Sequence, residues 1–419
     1  MNAASPLRAD FDALAEFGKL PQGGWSRPAF GAEDRRAHDW FCRRATDAGL
    51  SVRTDGMGNV IARLEGSRGG PAIAIGSHLD TVLAGGAFDG AIGVLIGLDV
   101  ARNIRRGEPD WPVPIEVIAF RDEEGRFGAF TGSLAMTGKL LSEEIGRRRD
   151  VDGLLLIDAL RAAALDPDAA ARAGRDATAF AAYLEVHIEQ GSVLERAGVG
   201  LGVVSSIVGQ ERLSIRFTGA ADHAGTTPMD MRRDAFAAAA RFSDRFREMV
   251  VSEGEGVARG TIGIVKVNPN QGNVVPQEVR LGLEIRDISA LRLKRLGELT
   301  GALAEDVGKA LGVDVSLRSV YSSPPIGMSE TLRKMLEDAA RSLGLDSLDM
   351  PCGANHDAGI MAALTPAAML LVPSEGGRSH CPEEHTGWTH IEAAAHVLER
   401  TVRDIAGRML EGDGLAASA

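Results

Sequence analysis

Pro71-Ala72-Ile73-Ala74-Ile75-Gly76-Ser77-His78-Leu79-Asp80-Thr81 reads as a short buried strand that ends in a histidine and, two residues on, an aspartate. Alternation along the strand brings His78 and Asp80 to one side of its C-terminal end. That is where open α/β sheets hold their chemistry. An imidazole is a good ligand for Zn, Mn, Co or Ni, and a carboxylate two residues away can fix its tautomer through the second ring nitrogen. Phe88-Asp89-Gly90 supplies another carboxylate nearby. Taken alone, His-x-Asp is more often a strand end with a surface histidine and solvated aspartates, so its meaning depends on the rest of the chain.

A chain of 419 residues exceeds the size at which single cores stop growing, which predicts two domains. Met1 to Asp10 lacks the apolar stretch of a leader, and no run approaches the roughly 18 apolar residues of a membrane span. Cys42, Cys352 and Cys381 are an odd three without CxxC spacing, which suits a reducing compartment and argues against a disulfide framework or zinc ribbon. These features predict a cytoplasmic protein. The net charge of -12 disfavours nucleic-acid or anionic-membrane partners. An acidic substrate must therefore be met by local Arg, His or amide groups.

Along the chain, residues 32 to 48 have helical spacing with Gly49 as the stop, and 50 to 53 and 59 to 64 read as strands. Gly90 to Asn103 predicts a helix whose Gly93 and Gly97 let it lie close to a sheet. Pro114 to Phe120 is a strand running into Arg121-Asp122-Glu123-Glu124-Gly125. Ser142 is a candidate cap for a short helix, and residues 154 to 176 read as Ala-rich helix. Phe180 to Ile188 is a strand ending in Glu185-Val186-His187-Ile188-Glu189-Gln190-Gly191.

The texture then changes. Strand 210 to 219, helix 230 to 251, strands 259 to 267 and 279 to 288, a helix capped by Ser289 and running to about 311, and strand 313 to 320 give a β-α-β-β-α-β order. That order predicts a ferredoxin-like α+β module. After Ser323-Pro324-Pro325 come helix 329 to 343, a turn into another helix, strand 367 to 372 and a final helix from 389. The expected architecture is α/β: one domain of residues 1 to 209 and 326 to 419, interrupted by a smaller domain of residues 210 to 325.

Glu123 and Glu124 end a strand with side chains that diverge, so one can bind metal while the other handles protons. His187 closes another strand, and His380 sits in the loop Arg378-Ser379-His380-Cys381-Pro382-Glu383-Glu384 after a buried one. Each is weak by itself. Together His78, Asp89, Glu124, His187 and His380 form a set, drawn from four strand ends, that can hold two divalent ions about 3.5 to 4 Å apart with Asp89 bridging.

The succession GSHLDT, FDG, DEEG, EVHIEQG, ADHAGTTPM, NVVP, IRD, GANHDA and RSHCPEE closely resembles the hydantoinase/carbamoylase branch of the M20 metallohydrolases, which includes N-carbamoyl-L-amino acid amidohydrolases, β-ureidopropionases and allantoate amidohydrolases. It spans the chain from Trp25-Ser26-Arg27 to His380. The resemblance implies a zinc-peptidase-like catalytic domain, an inserted dimerisation and lid domain, and a homodimer. It implies two divalent ions per subunit, Zn or Mn first and Co or Ni next. By the same resemblance His78 and His187 are ligands of separate ions, Asp89 is the bridge, and Glu124 and His380 complete the pair. Glu123 resembles the general base that acts on the bridging water, and Asp80 the residue that orients His78. His223 resembles the group that stabilises the oxyanion. Gln190, His223, Asn273 and Arg286 resemble the substrate binders, with Arg286 suited to a carboxylate. His356 and Asp357 lie in a family motif without an assigned role, while His38, His385, His390 and His396 read as surface or packing residues.

Two departures concern the pocket wall. Gly125-Arg126-Phe127 lacks a residue that the family commonly has between the Gly and the Arg, and Asn355 stands where the family more often has Gly, able to take a left-handed conformation but adding a side chain. The expected reaction is hydrolysis of the C-N bond of a linear ureido acid, most simply an N-carbamoyl-L-amino acid, to the amino acid, ammonia and carbon dioxide. Allantoate hydrolysis, and an N-acyl amino acid hydrolase or dipeptidase using the same metal chemistry, are the alternatives. A non-catalytic binding protein is disfavoured, because all five candidate ligands and Glu123 are present.

Overall fold

The computed structural model describes residues 5–412 and Leu415; the first four residues of the stretch read for a leader lie outside it. The strands are β1 (Ser51–Thr54), β2 (Val60–Leu64), β3 (Ala72–His78), β4 (Ile115–Phe120), β5 (Phe180–Ile188), β6 (Gly202–Ile207), β7 (Gly209–Thr218), β8 (Arg259–Asn268), β9 (Glu278–Asp287), β10 (Asp314–Ser323), β11 (Ile326–Gly327), β12 (Leu348–Cys352) and β13 (Ala367–Val372). The chain divides into two compact units, one running up to Ser205 and resuming at Met328, the other Ser206–Gly327.

In the larger unit the strands follow the order β1-β2-β4-β3-β5-β13-β6, with β12 on β6. The central four, β4-β3-β5-β13, are parallel, and β2 and β6 flank them antiparallel. Every residue of β3, β4 and β13 is buried, as expected of strands covered on both faces. The helix Ala91–Gly107 packs on this sheet through Ile92, Leu95, Ile96 and Val100. Its closeness depends on Gly93: a Cβ there would lie 2.4 Å from the carbonyl oxygen of Val186. The long helix Trp388–Glu411 contributes Ile391, Leu398, Val402 and Ile405 to the same core.

The smaller unit is a four-stranded antiparallel sheet in the order β10-β7-β9-β8, the ferredoxin-like arrangement. Helices Ala235–Glu253 and Ala290–Leu311 bury Phe242, Phe246, Leu296 and Val307 against Ile215, Phe217, Leu281 and Ile285. Ser289 caps the second helix, accepting from the Arg292 amide. The two ends of this unit meet where β11 pairs with the end of β6, Ile326 opposite Ile207.

Several local expectations are corrected. Residues 154 to 176 are not one helix but two short ones, Leu156–Ala162 and Pro167–Ala171, because Asp166 caps a new start and Pro167 offers no N–H to continue the first. The helix expected from 230 begins at Ala235, after a 3-10 turn, where the Asp234 carboxylate accepts from the amides of Phe236 and Ala237. Ser142 is not the cap of its helix: Leu141 holds that position, and Glu144 accepts from its amide. Strands β6, β11 and β12 are additions to the expected set. Among the described residues no helix is long and apolar enough to cross a membrane.

Candidate active site

The four parallel strands deliver their C-terminal ends to one edge of the sheet. β3 ends at His78, β4 runs into Glu123 and Glu124, β5 carries His187 one residue before its end, and β13 leads to the loop bearing His380. From β3 the chain crosses to β4 on one side, while β5 lies on the other side of β3. His78 and His187 thus stand on neighbouring strands whose connections diverge, the crevice where such sheets bind ligands.

Asp89 is the centre of the cluster. Its Oδ1 lies 3.0 Å from Nε2 of His187 and 3.8 Å from Nε2 of His78. Its Oδ2 lies 3.1 Å from Nε2 of His380, which is itself 3.5 Å from Oε2 of Glu124. Two donor trios result, His78/Asp89/His187 and Asp89/Glu124/His380, each with ligand atoms within 4.8 Å of one another and sharing one carboxylate. Glu123 brings Oε2 to 3.6 Å from Nε2 of His78. The amide of Gln190 reaches Oδ2 of Asp89 at 3.0 Å.

Backbone carbonyls set both buried rings. Nδ1 of His78 donates to the Asp80 carbonyl at 3.0 Å and Nδ1 of His187 to the Ile188 carbonyl at 2.9 Å, leaving each Nε2 pointed at Asp89. The Asp80 carboxylate, 3.8 Å from Nδ1 of His78, instead accepts from the amides of Glu123 and Glu124 at 3.4 and 3.2 Å. It orders the turn that carries both glutamates.

The electrostatics favour cations. Burial lowers the His78 pKa to about 4. Burial also acts to lower His187, but its 3.0 Å bond to Asp89 lifts it to about 9. The two rings differ because only His187 is in hydrogen-bond contact with that carboxylate. Burial, then the charge of Asp89, pushes Glu124 up to about 8; burial and the charge of Glu124 raise Glu123 well above the usual carboxylate range. Asp80 is likewise raised by burial. Carboxylates crowded this way, with imidazoles turning Nε2 inward, form the N/O donor set of a dinuclear site for borderline divalent metals. The residues fit such a pair of ions.

The model of peptidase family M20/M25/M40 matches residues 74–404. An N-carbamoyl-L-amino acid amidohydrolase of Geobacillus stearothermophilus is 39% identical over 94% of this chain and 96% of its own length. An allantoate amidohydrolase of Bacillus subtilis is 32% identical over 92% and 93%. The crystal structure of a hydantoinase/carbamoylase family amidase from Burkholderia phymatum superposes with a TM-score of 0.88 at 36% identity, over 96% and 97% of the two chains. The chain belongs to the hydantoinase/carbamoylase branch of the M20 family. It is an amidohydrolase of this carbamoylase/allantoate group, and a small-molecule amide substrate follows from that membership.

In this M20 chain the structure brings together His78, Asp89, Glu123, Glu124, His187, Gln190 and His380. It differs from the reading that His78 and His187 serve separate ions: both face Oδ1 of Asp89, because β3 and β5 are adjacent. His223, Asn273 and Arg286 belong to the smaller unit. There His223 bridges Val274, the Asn273 carbonyl accepts from the Ala224 amide, and Arg286 donates through Nε to Glu284. Of the histidines set aside, His38 is buried against Asp34, at 3.1 Å, and His385 pairs with Glu375.

The departures from the family pattern also resolve. Arg126 is tied to Asp150 through Nε and NH2, and to the Ala29 carbonyl. Asn355 does not use its left-handed option. Its neighbour His356 is buried, its ring centre 4.2 Å from that of His187 and its Nε2 3.2 Å from Sγ of Cys352. Glu185, one turn of the pleat before His187, accepts from Ser77 Oγ, Tyr183 OH and the Ala358 amide. Sequence reasoning gave Glu185 and Glu384 no role; for Glu185 the sign was its shared strand face with His187.

Proposed function

We propose that this protein is a dinuclear metal-dependent amidohydrolase that cleaves an N-carbamoyl-L-amino acid to the amino acid, ammonia and carbon dioxide, with Zn or Mn as the resident ions. The observation that carries the reading is the buried Asp89 carboxylate shared by two donor trios, with Glu123 beside them. The similarity to a relative named for that reaction supports the substrate class. His78, Asp89 and His187 would hold one ion, and Asp89, Glu124 and His380 the other. When bound, the ions would supply positive charge that acidifies the attacking water and polarises the scissile carbonyl.

The chain's own groups carry the proton. Glu123 takes it from the attacking water and returns it to the departing nitrogen, so one C-N bond breaks and a carbamic acid remains, which loses carbon dioxide to free the second nitrogen. Asp80 keeps Glu123 in place through its amide, and Gln190 holds Asp89 and meets the substrate. His223 as oxyanion donor, and Asn273 and Arg286 as binders of the substrate's polar end and carboxylate, rest on the resemblance alone. A homodimer formed through the smaller unit belongs to this reading, supported by Ile264 and Val265 exposed on the edge strand β8. Sedimentation at micromolar concentration checks it, and a monomer counts against it.

Ammonia release together with release of free amino acid by manganese-loaded protein tests the function, against N-carbamoyl-L-amino acids, N-carbamoyl-β-alanine, allantoate, and N-acyl amino acid and dipeptide controls. Turnover of a carbamoyl amino acid that stops on chelation is the expected result. Allantoate is the second reading, favoured by the Bacillus subtilis relative. Faster turnover of acyl amino acids or dipeptides would overturn the ureido assignment.

A further inference from the structure

Glu383 and Glu384 follow His380 closely, yet their surroundings differ. Glu383 is exposed and pairs with Arg378. Glu384 is 4% exposed. Its Oε1 accepts from the amides of Phe88 at 3.0 Å and Asp89 at 3.1 Å, and its Oε2 accepts from Oγ of Ser379 at 2.8 Å. Ser379 immediately precedes His380, and its hydroxyl also lies 3.4 Å from Oδ2 of Asp89. One carboxylate therefore ties the loop that carries the shared donor to the loop that carries His380. The closure is tight: a Cβ on Gly86 would come within 1.9 Å of Oε1 of Glu384.

His380 needs such a tie. It is the most exposed of the candidate ligands, with half its side chain accessible, and its φ of 56° lies in the left-handed region. That conformation is strained for a non-glycine residue and persists only where neighbours enforce it. His78 and His187, in contrast, stand on strands inside the sheet.

We propose that Glu384 is a positioning residue that sets the spacing of Asp89 and His380 and so holds the Asp89/Glu124/His380 trio together. The inference rests on the reading of the two trios as ion sites. Glu384 itself touches neither the ions nor the substrate; it acts through backbone amides and Ser379. Asp89 belongs to both trios, but Glu384 reaches His380 as well, through Ser379, while His78 and His187 are held by their strands; loss of Glu384 therefore weakens the Asp89/Glu124/His380 site more than the His78/Asp89/His187 site.

The test is equilibrium dialysis against manganese or zinc with metal analysis, on the wild type, Glu384→Ala, Glu384→Gln and Ser379→Ala, with thermal melting alongside. The expected result for Glu384→Ala is one ion weakened by about 10- to 100-fold, the usual cost of losing a partner that orients a ligand, and the other by clearly less; equal weakening of the two ions overturns the proposal. Glu384→Gln, whose amide oxygen can accept from the same two N–H groups and whose amide nitrogen can donate to Ser379, stays within a few-fold of the wild type. Two ions at wild-type affinity in Glu384→Ala, or equal weakening in both variants, overturns the proposal. Should Glu384→Ala fail to fold, Ser379→Ala decides: selective weakening of one ion supports the clamp, and no change overturns it. A wild type that binds no divalent ion overturns the underlying metal reading instead.

Discussion

Oδ1 of Asp89 lies 3.0 Å from Nε2 of His187, on the opposite side of the carboxylate from His380. Both trios depend on this one side chain, so Asp89→Ala should lower occupancy of both ions. Metal analysis after dialysis checks it, and retention of one ion at wild-type affinity would show that Asp89 is not shared.

Glu123→Gln keeps the shape of the side chain and removes its ability to accept a proton. Turnover should fall by at least about a hundredfold, in line with loss of general acid-base catalysis, while two ions remain bound. Assay and metal analysis on one preparation separate the effects: loss of metal with residual activity would contradict the role of base.

Asp34 and Arg121 form a buried ion pair behind the strand that carries the glutamates. Burial acts to raise the Asp34 pKa, but Arg121 and its hydrogen bonds bring it from 3.8 to about 2. A depressed acid stabilises the fold above its unfolded pKa, and the benefit disappears as pH falls through the folded value. The window is therefore about pH 4 down to pH 2, with about 2 kcal/mol at stake. Urea unfolding across that window should lose stability more steeply in the wild type than in Asp34→Asn. At neutral pH the variant should be weaker by about 3–5 kcal/mol, because Arg121 keeps its buried charge without a partner.

Gly93→Ala puts a methyl group 2.4 Å from the carbonyl oxygen of Val186, beside His187. Overpacking of this kind costs about 1–3 kcal/mol. A lowered thermal midpoint is expected, and an unchanged one would mean that the helix can retreat from the sheet without penalty.

The side chains that gather at the sheet edge were legible as candidates because His78, Glu124 and His187 stand at or just after apolar runs, a pattern that survives without knowledge of strand order. Which of these side chains group together was not legible, since β4 lies between β3 and β5 in the chain but not in the sheet. The α+β unit was readable from alternation such as Leu213, Ile215 and Phe217, which meets the helices on one face. β12 escaped because Pro351 within it reads as a strand breaker, and β6 because its Gly-Val-Val-Ser-Ser run has no period. Asp80 was read as the partner of His78, whereas its carboxylate accepts from the amides of Glu123 and Glu124 across the edge of the sheet, a contact made by tertiary structure alone. Glu384 likewise gains its meaning only when the loops around residues 88 and 380 meet.

The pairing of Ile207 with Ile326 changes the cost of assembling the central sheet. β5 must wait for β13, which emerges from the ribosome only after the whole inserted segment. A flexible insert of that length would impose the closure entropy of a long loop. Once its own strands and helices have formed, however, the segment presents its two ends side by side, and to the growing sheet it behaves like a tight hairpin. The interruption is thereby made kinetically short, and His380, the last of the candidate donors, arrives at a crevice whose first trio is already encoded upstream.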